Sequence, residues 1–285
     1  MNLSIFNFNS IYKIIFLFVI LFGLYNLFLV LEKPDIKIFQ NQWQKNYSFA
    51  QDFIYENKAE NIIVGSSMAA RMQNDFLPKD FYNLSFSGGS VLTGLEIIKK
   101  SGFIPKNIYI ETNIIFRNKD NKLLNNLFYP ILWQIKKHIP VLQEKYQPLN
   151  LVASKIRGSY GKTHKEHMQE KRNEKIFNLT IQRQLKNYNK SLESYENKLS
   201  DLKILIEYFS KKGVNIVFFE MPIENRLANS IKAKEQRKII KNNFANKWFK
   251  LQSNDNYVTA DGIHLIFPSA FKFSKEFVKD IYDKQ

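Results

Sequence analysis

Apolar positions in this chain fall into three patterns: one long run, several short runs bounded by polar turns, and one stripe recurring every three or four residues. The long run is Ile11 to Leu31, interrupted only by Tyr12, Lys13, Gly23, Tyr25 and Asn26. At about 1.5 Å per residue, roughly 20 residues cross the hydrocarbon core of a bilayer, so the run predicts a transmembrane helix. No small-x-small cleavage site follows it. Leu31-Glu32-Lys33-Pro34 closes it, with Pro34 unable to continue a helix, and an uncleaved membrane anchor over residues 1–33 is expected. Lys13 precedes the run and Lys33 and Lys37 follow it, so flanking charge leaves its orientation open.

The short runs predict strands. Asn61-Ile62-Ile63-Val64 leads into Gly65-Ser66-Ser67 and then Met68-Ala69-Ala70-Arg71, which reads as a buried strand, a tight turn and the first turn of a helix. Phe81-Tyr82-Asn83-Leu84 is a second strand, followed by the small-residue loop Ser85–Ser90 and a helix from Leu92 to Lys100. Asn107–Glu111 and Val214–Phe219 are a third and a fourth. Strands separated by helices, with polar loops at their C-terminal ends, describe an α/β parallel sheet within residues 34–285. Pro34 to Lys58 is a connector, with Trp43, Tyr47, Phe49 and Phe53 available to pack it.

The stripe lies in a long insertion between the third and fourth strands, about residues 116–200, and runs on beyond it. Ile181, Leu185, Tyr188, Leu192, Tyr195, Leu199, Leu202, Ile206 and Phe209 alternate steps of four and three, predicting one continuous helix about 43 Å long. Such a stripe packs on the protein's own sheet or on a second chain as a coiled coil; its direct entry into the fourth strand favours the first. Arg157–Arg172 is charged and predicts an exposed loop or lid, in which His164 and His167 could share a helix face without a third metal ligand in view.

A chain of 285 residues with 45% hydrophobic and 15% aromatic content has one sizeable domain or two small ones and is not disordered. Without cysteine, disulfides and thiolate chemistry are excluded, while either redox compartment remains open. The net charge of +16 fits nucleic acid, an anionic membrane surface or an anionic envelope polymer, as well as plain solvation of helix faces by interleaved lysines. The tether and the absence of a binding motif argue against nucleic acid.

Two places carry candidate chemistry. A serine at the Gly65-Ser66-Ser67 turn would sit near unpaired N–H groups and a positive helix end, which suits a nucleophile passing through an oxyanion; the same features suit a plain helix cap. Asp261-Gly262-Ile263-His264 puts a carboxylate three residues before a histidine, enough for one loop to supply a base and the group that orients it.

Together these blocks resemble the SGNH (GDSL-type) hydrolase superfamily. Gly65-Ser66-Ser67 matches its first block, with Ser66 in place of the usual Asp and Ser67 as nucleophile. Asn83–Gly88 is similar to the second block, whose closing Gly lends an N–H to the oxyanion hole, and Asp261–His264 to the fifth. Asn113 stands at the third-block Asn. There the family has Gly-x-Asn-Asp, and this chain has Glu111-Thr112-Asn113-Ile114. The resemblance covers about residues 61–117 and 214–280 and leaves the insertion unexplained.

The resemblance implies a three-layer, flavodoxin-like parallel sheet. It implies acyl transfer by Ser67, His264 and Asp261, an oxyanion hole from Ser67, Gly88 and Asn113, and no metal or organic cofactor. Combined with the anchor, it is similar to membrane-anchored envelope proteins that act on polysaccharide O-acylation. That implies an extracytoplasmic domain on the inner membrane, a polysaccharide or its ester as substrate, and a multi-pass acyltransferase as partner. The alternative within the same resemblance is a non-catalytic glycan-binding or assembly subunit.

Overall fold

A fifth strand joins the four expected ones. In the computed structural model, which describes residues 8–34, 36, 41–56, 58–158, 164–249 and 253–283, one parallel sheet runs in the order β2-β1-β3-β4-β5. Its strands are β1 (Asn61–Val64), β2 (Phe81–Asn83), β3 (Asn107–Glu111), β4 (Asn215–Phe219) and β5 (Lys247–Trp248). Every residue of β1 and β3 is buried, as expected for strands covered on both faces. β5 has only two residues and no pattern of its own; pairing of Val217 with Lys247 and Phe218 with Trp248 makes it a strand. Lys37, the connector positions 35, 38–40 and 57, and residues 159–163 of the basic segment lie outside the described residues.

Three asparagines open the central strands and hold their register. Asn61, Asn107 and Asn215 are level in β1, β3 and β4. Asn107 Nδ2 donates to Asn61 Oδ1 at 2.7 Å, and Asn215 Nδ2 donates to Asn107 Oδ1 at 2.9 Å. A one-residue slip would break this amide ladder and turn each strand's side chains to the wrong face. At the opposite, C-terminal edge the order reverses between β1 and β3, the position where open parallel sheets bind ligands.

The helices, in chain order, are α1 (Phe8–Glu32), α2 (Gln42–Glu56), α3 (Val91–Ser101), α4 (Asn121–Leu127), α5 (Leu132–His138), α6 (Pro148–Gly158), α7 (His164–His167), α8 (Glu174–Tyr188), α9 (Glu196–Ser210), α10 (Asn225–Ala228), α11 (Ile231–Asn243) and α12 (Phe267–Tyr282). The chain divides into two compact units, Met1–Gln51 with Leu127–Gly161, and Asp52–Asn126 with Lys162–Gln285. The second contains the sheet. Its core gathers Ile63, Tyr109 and Phe219 from the strands with Phe273 and Phe277 of α12. Each fully buried Phe is worth about 1.5–3 kcal/mol.

In the first unit, α1 packs along part of the insertion. Tyr25 OH donates to Tyr146 O at 2.7 Å, Val141 N donates to Asn26 Oδ1 at 3.2 Å, and Leu29 and Tyr146 are buried together. Residues Ser10–Glu32 are long and apolar enough to cross a membrane.

The expected 43 Å helix is two helices. α8 ends at Tyr188 with Asn189 as its cap, Ser194 takes φ 51°, and α9 starts at Glu196. Leu192 N is drawn to Glu235 Oε2 at 2.9 Å, which stabilises the break. The stripe packs inward on both pieces: Ile181, Tyr188, Leu202, Ile206 and Phe209 are all buried.

Candidate active site

The turn after β1 brings Ser67, and not Ser66, to the histidine. Ser67 Oγ lies 2.9 Å from His264 Nε2, and His264 Nδ1 lies 2.7 Å from Asp261 Oδ2. Ser66 faces inward: its N–H donates to Glu111 Oε2 at 2.8 Å and its Oγ accepts from Met68 N at 3.2 Å. Gly65 permits the turn, since a Cβ there would stand 2.5 Å from Ala69 Cβ and 2.9 Å from Glu111 Cβ.

The helix expected after this turn does not form. A single 3₁₀ turn, Ala69–Arg71, takes its place. Asn83 explains the stop: its Nδ2 donates to Ala69 O at 2.7 Å and Met72 O at 2.6 Å, capturing carbonyls that a longer helix would use. Ser67 therefore lacks the full helix dipole, which needs several aligned turns.

His264 sits on a turn tied by Asp261. Asp261 Oδ1 accepts from Ile263 N at 3.1 Å and His264 N at 2.8 Å, which leaves Oδ2 for the imidazole. Gly262 takes φ 97°, and a Cβ there would meet Ile181 Cδ1 of α8 at 2.6 Å. Thr259 and Leu265 bridge the base of the turn. Burial pushes the Asp261 carboxyl up, but hydrogen bonds from the His264 ring and backbone, the His264 charge and the Ile263 N–H together bring it down to about 2. The carboxylate is thus ionised at any working pH, holding the proton on Nδ1 and leaving Nε2 to accept one from Ser67.

The other site positions are more scattered. Gly88 is the exposed tip of a mostly buried loop between β2 and α3, with φ 73°. Asn113 is bound to the chain after β4: Met221 N donates to Asn113 Oδ1 at 2.7 Å, and Asn113 Nδ2 donates to Met221 O at 3.0 Å. One Nδ2 proton remains beyond that pair. Asn113→Ala should lower kcat by about 10²–10³ with little change in KM if this proton serves an oxyanion. Steady-state kinetics check it; turnover within about twofold, alongside a lower Tm from the unpaired Met221 groups, would remove Asn113 from the site.

Glu111 is the residue that sequence reading passed over as a mismatch. It is wholly buried at the end of β3, accepting from Ser66 N at 2.8 Å through Oε2 and from Ile114 N at 3.2 Å through Oε1. Burial raises its carboxyl above the ordinary value, against hydrogen bonds from Ser66, Ile114 and Asn113. The available signal was a carboxylate closing an otherwise uncharged strand. Tyr188 is the second such residue. Burial pushes its phenol up, the Glu111 charge adds to this, Arg117 opposes it and Asp261 adds again, so α8 ends among the charges of the site.

Among the described residues no group of three or more His, Asp or Glu is placed to hold a metal ion. His164 instead meets the Phe271 ring edge-on at 5.5 Å, and His167 stacks on Phe267 at 4.9 Å. No protein-family model matches the chain, and neither does any curated protein.

Proposed function

We propose that this protein is a membrane-anchored serine acyl-transfer enzyme of the SGNH hydrolase type, an O-acetylesterase or O-acyltransferase acting on a cell-envelope polysaccharide. The observation that carries the reading is the chain of contacts Ser67 Oγ–His264 Nε2, 2.9 Å, and His264 Nδ1–Asp261 Oδ2, 2.7 Å. Ser67 attacks an ester carbonyl as His264 takes its proton. The same proton passes to the leaving alkoxide, giving an acyl-serine that water or a sugar hydroxyl then resolves. The N–H groups of Ser67 and Gly88 and the Asn113 amide serve the oxyanion. The strand order β2-β1-β3-β4-β5 agrees with the flavodoxin-like sheet of that superfamily.

The polysaccharide part of the reading draws on a cleft of about 570 Å³ lined by Glu170, Arg172, Glu224, Asn225, Asp255, Tyr257 and Ile266; Ser67, Asp261 and His264 do not line it, and its link to them is Ile266, two residues past His264 in the chain. Such a wall offers donors and acceptors for sugar hydroxyls. The reading puts the catalytic unit outside the cytoplasm, on the inner membrane, because the envelope polymer it would act on lies there; the apolar helix supports a tether without orienting it, and a multi-pass acyltransferase is the proposed source of the acyl group.

The test uses the full chain in detergent micelles with p-nitrophenyl acetate, with and without an oligosaccharide acceptor, and with a fluorophosphonate probe. Nitrophenolate release and one adduct, mapped to Ser67, are expected. Folded protein that releases none and carries no adduct would sink the enzymatic reading and leave a glycan-binding subunit in its place, while an adduct on Ser66 would overturn the assignment of Ser67 as nucleophile.

A further inference from the structure

The unit that contains α1 turns apolar side chains outward where a globular surface turns polar ones. On α6, Leu149, Val152 and Ile156 share one helix face by their spacing, and that face is open: Leu149 is 68% and Ile156 59% exposed. The inward side mixes Leu151, packed against Leu29, Ile36 and Tyr146, with polar groups. Asn150 is fully buried with Nδ2 donating to Glu144 O at 3.0 Å, and the Ser154 hydroxyl is buried too. The outer face therefore carries more apolar side chains than the inner one, unlike a helix on a soluble core. Ile131 and, on α5, Leu132 and Ile135 are exposed too, with Ile131 72% exposed. Single exposed apolar residues are ordinary, but two consecutive helices that both face outward with them mark an interaction surface.

Two observations select the occupant. The first is continuity with α1. α5 and α6 pack on the 3₁₀ turns Pro140–Leu142 and Glu144–Tyr146, and those turns are bonded to α1 through Asn26 and Tyr25. Leu24 and Leu27, neighbours of those two residues, are themselves exposed. The second is charge. Residues 127–158 contain Lys136, Lys137, Lys145, Lys155 and Arg157 against one acid, Glu144, which is half-buried and bonded to Gln44. Apolar faces edged by Lys, beside a helix able to span a bilayer, match the chemistry of an anionic membrane surface.

We propose that α5 and α6 are interfacial helices, seated in the headgroup region of an anionic bilayer around the point where α1 leaves it. The proposal rests on the reading of α1 as a membrane anchor. The bilayer then covers faces that water would leave costly, and the insertion fixes α1 at its exit instead of letting it swivel as a bare tether.

The absence of cysteine makes the test clean. Single cysteines replace Val19 on α1, Leu149 and Ile156 on α6, and Lys203 on α9, each carrying a nitroxide, and the full chain is reconstituted in phosphatidylglycerol–phosphatidylcholine vesicles. Collision with oxygen is compared with collision with a water-soluble nickel chelate. Labels at 19, 149 and 156 should show oxygen-to-nickel ratios several-fold above the label at 203, and the 149 and 156 ratios should fall when phosphatidylglycerol is left out. Ratios at 149 and 156 equal to that at 203, with 19 still lipid-facing, would overturn the proposal and leave the anchor standing. An aqueous label at 19 would remove the anchor and the proposal together. Labels at 149 and 156 shielded from both reagents, or broadened by a neighbouring spin, would show a protein surface covering the face and overturn it as well. Ratios unchanged without phosphatidylglycerol would overturn the anionic requirement.

Discussion

Asp261→Asn should lower kcat/KM on an ester substrate by about 10⁴ while leaving the fold in place. The backbone N–H groups of Ile263 and His264 both point at Oδ1, so an Asn side chain keeps its oxygen there and turns its NH₂ towards the imidazole. His264 must then accept at Nδ1 and carry its proton on Nε2. That nitrogen faces Ser67 Oγ as a donor and can no longer take the hydroxyl proton. Asp261→Ala should lose activity to a similar degree and stability besides, since it also frees the two backbone donors. Nitrophenyl acetate kinetics and thermal melts of the two variants check this; an Asp261→Asn enzyme within about tenfold of the parent would mean that His264 is not oriented by this acid.

The same pair has a pH signature. The Asp261 carboxyl lies at about 2, below its ordinary 3.8, so ionisation stabilises the folded state. That contribution is complete above about pH 4 and is lost as pH falls from about 4 to 2. The difference in Tm between parent and Asp261→Asn should therefore shrink across that window.

Glu111→Leu should lower Tm by roughly 10 °C and kcat by about 10². An apolar side chain leaves the Ser66 and Ile114 N–H groups without partners, at about 1–3 kcal/mol for each buried donor. Removing a buried carboxyl also removes its desolvation cost, which places the expected loss in the lower half of the summed range. The loss in kcat follows because Ser66 N–H holds the peptide directly before the nucleophile, and a shift of about 1 Å there is enough. Glu111→Gln retains one acceptor but turns an NH₂ against the second donor, so it should fall between Leu and the parent in both measurements. Its pH dependence runs opposite to that of Asp261. Burial raises the Glu111 carboxyl above 4.5, so its contribution is complete below about that pH and declines as pH rises through the folded value. The Tm deficit of Glu111→Gln should narrow over that rise. Equal Tm and equal kcat for Glu111→Leu and the parent would show that the turn stands without this acid.

What the sequence by itself determined is whatever a short window encodes. β1 and β3 were legible because a strand buried on both faces is largely apolar along its length, and β2 and β4 as short runs of apolar and aromatic residues bounded by polar turns. The span of α1 was legible because about 20 apolar residues match a bilayer. Ser67, Asp261 and His264 were legible as blocks, since the acid and base share one turn and the serine closes a strand. Tertiary structure decided the rest, because each remaining feature depends on groups far apart in the chain. β5 exists through β4, and the stripe breaks where Glu235 reaches Leu192 N. The helix after Ser67 stops because Asn83 takes its carbonyls. The identity of Glu111 was plain, but its role was not: a carboxylate ending a strand becomes a support only when the folded sheet sets Ser66 N–H at 2.8 Å from it. The outward face of α6 follows the same rule, since periodicity tells which residues share a face and only packing tells which way that face turns.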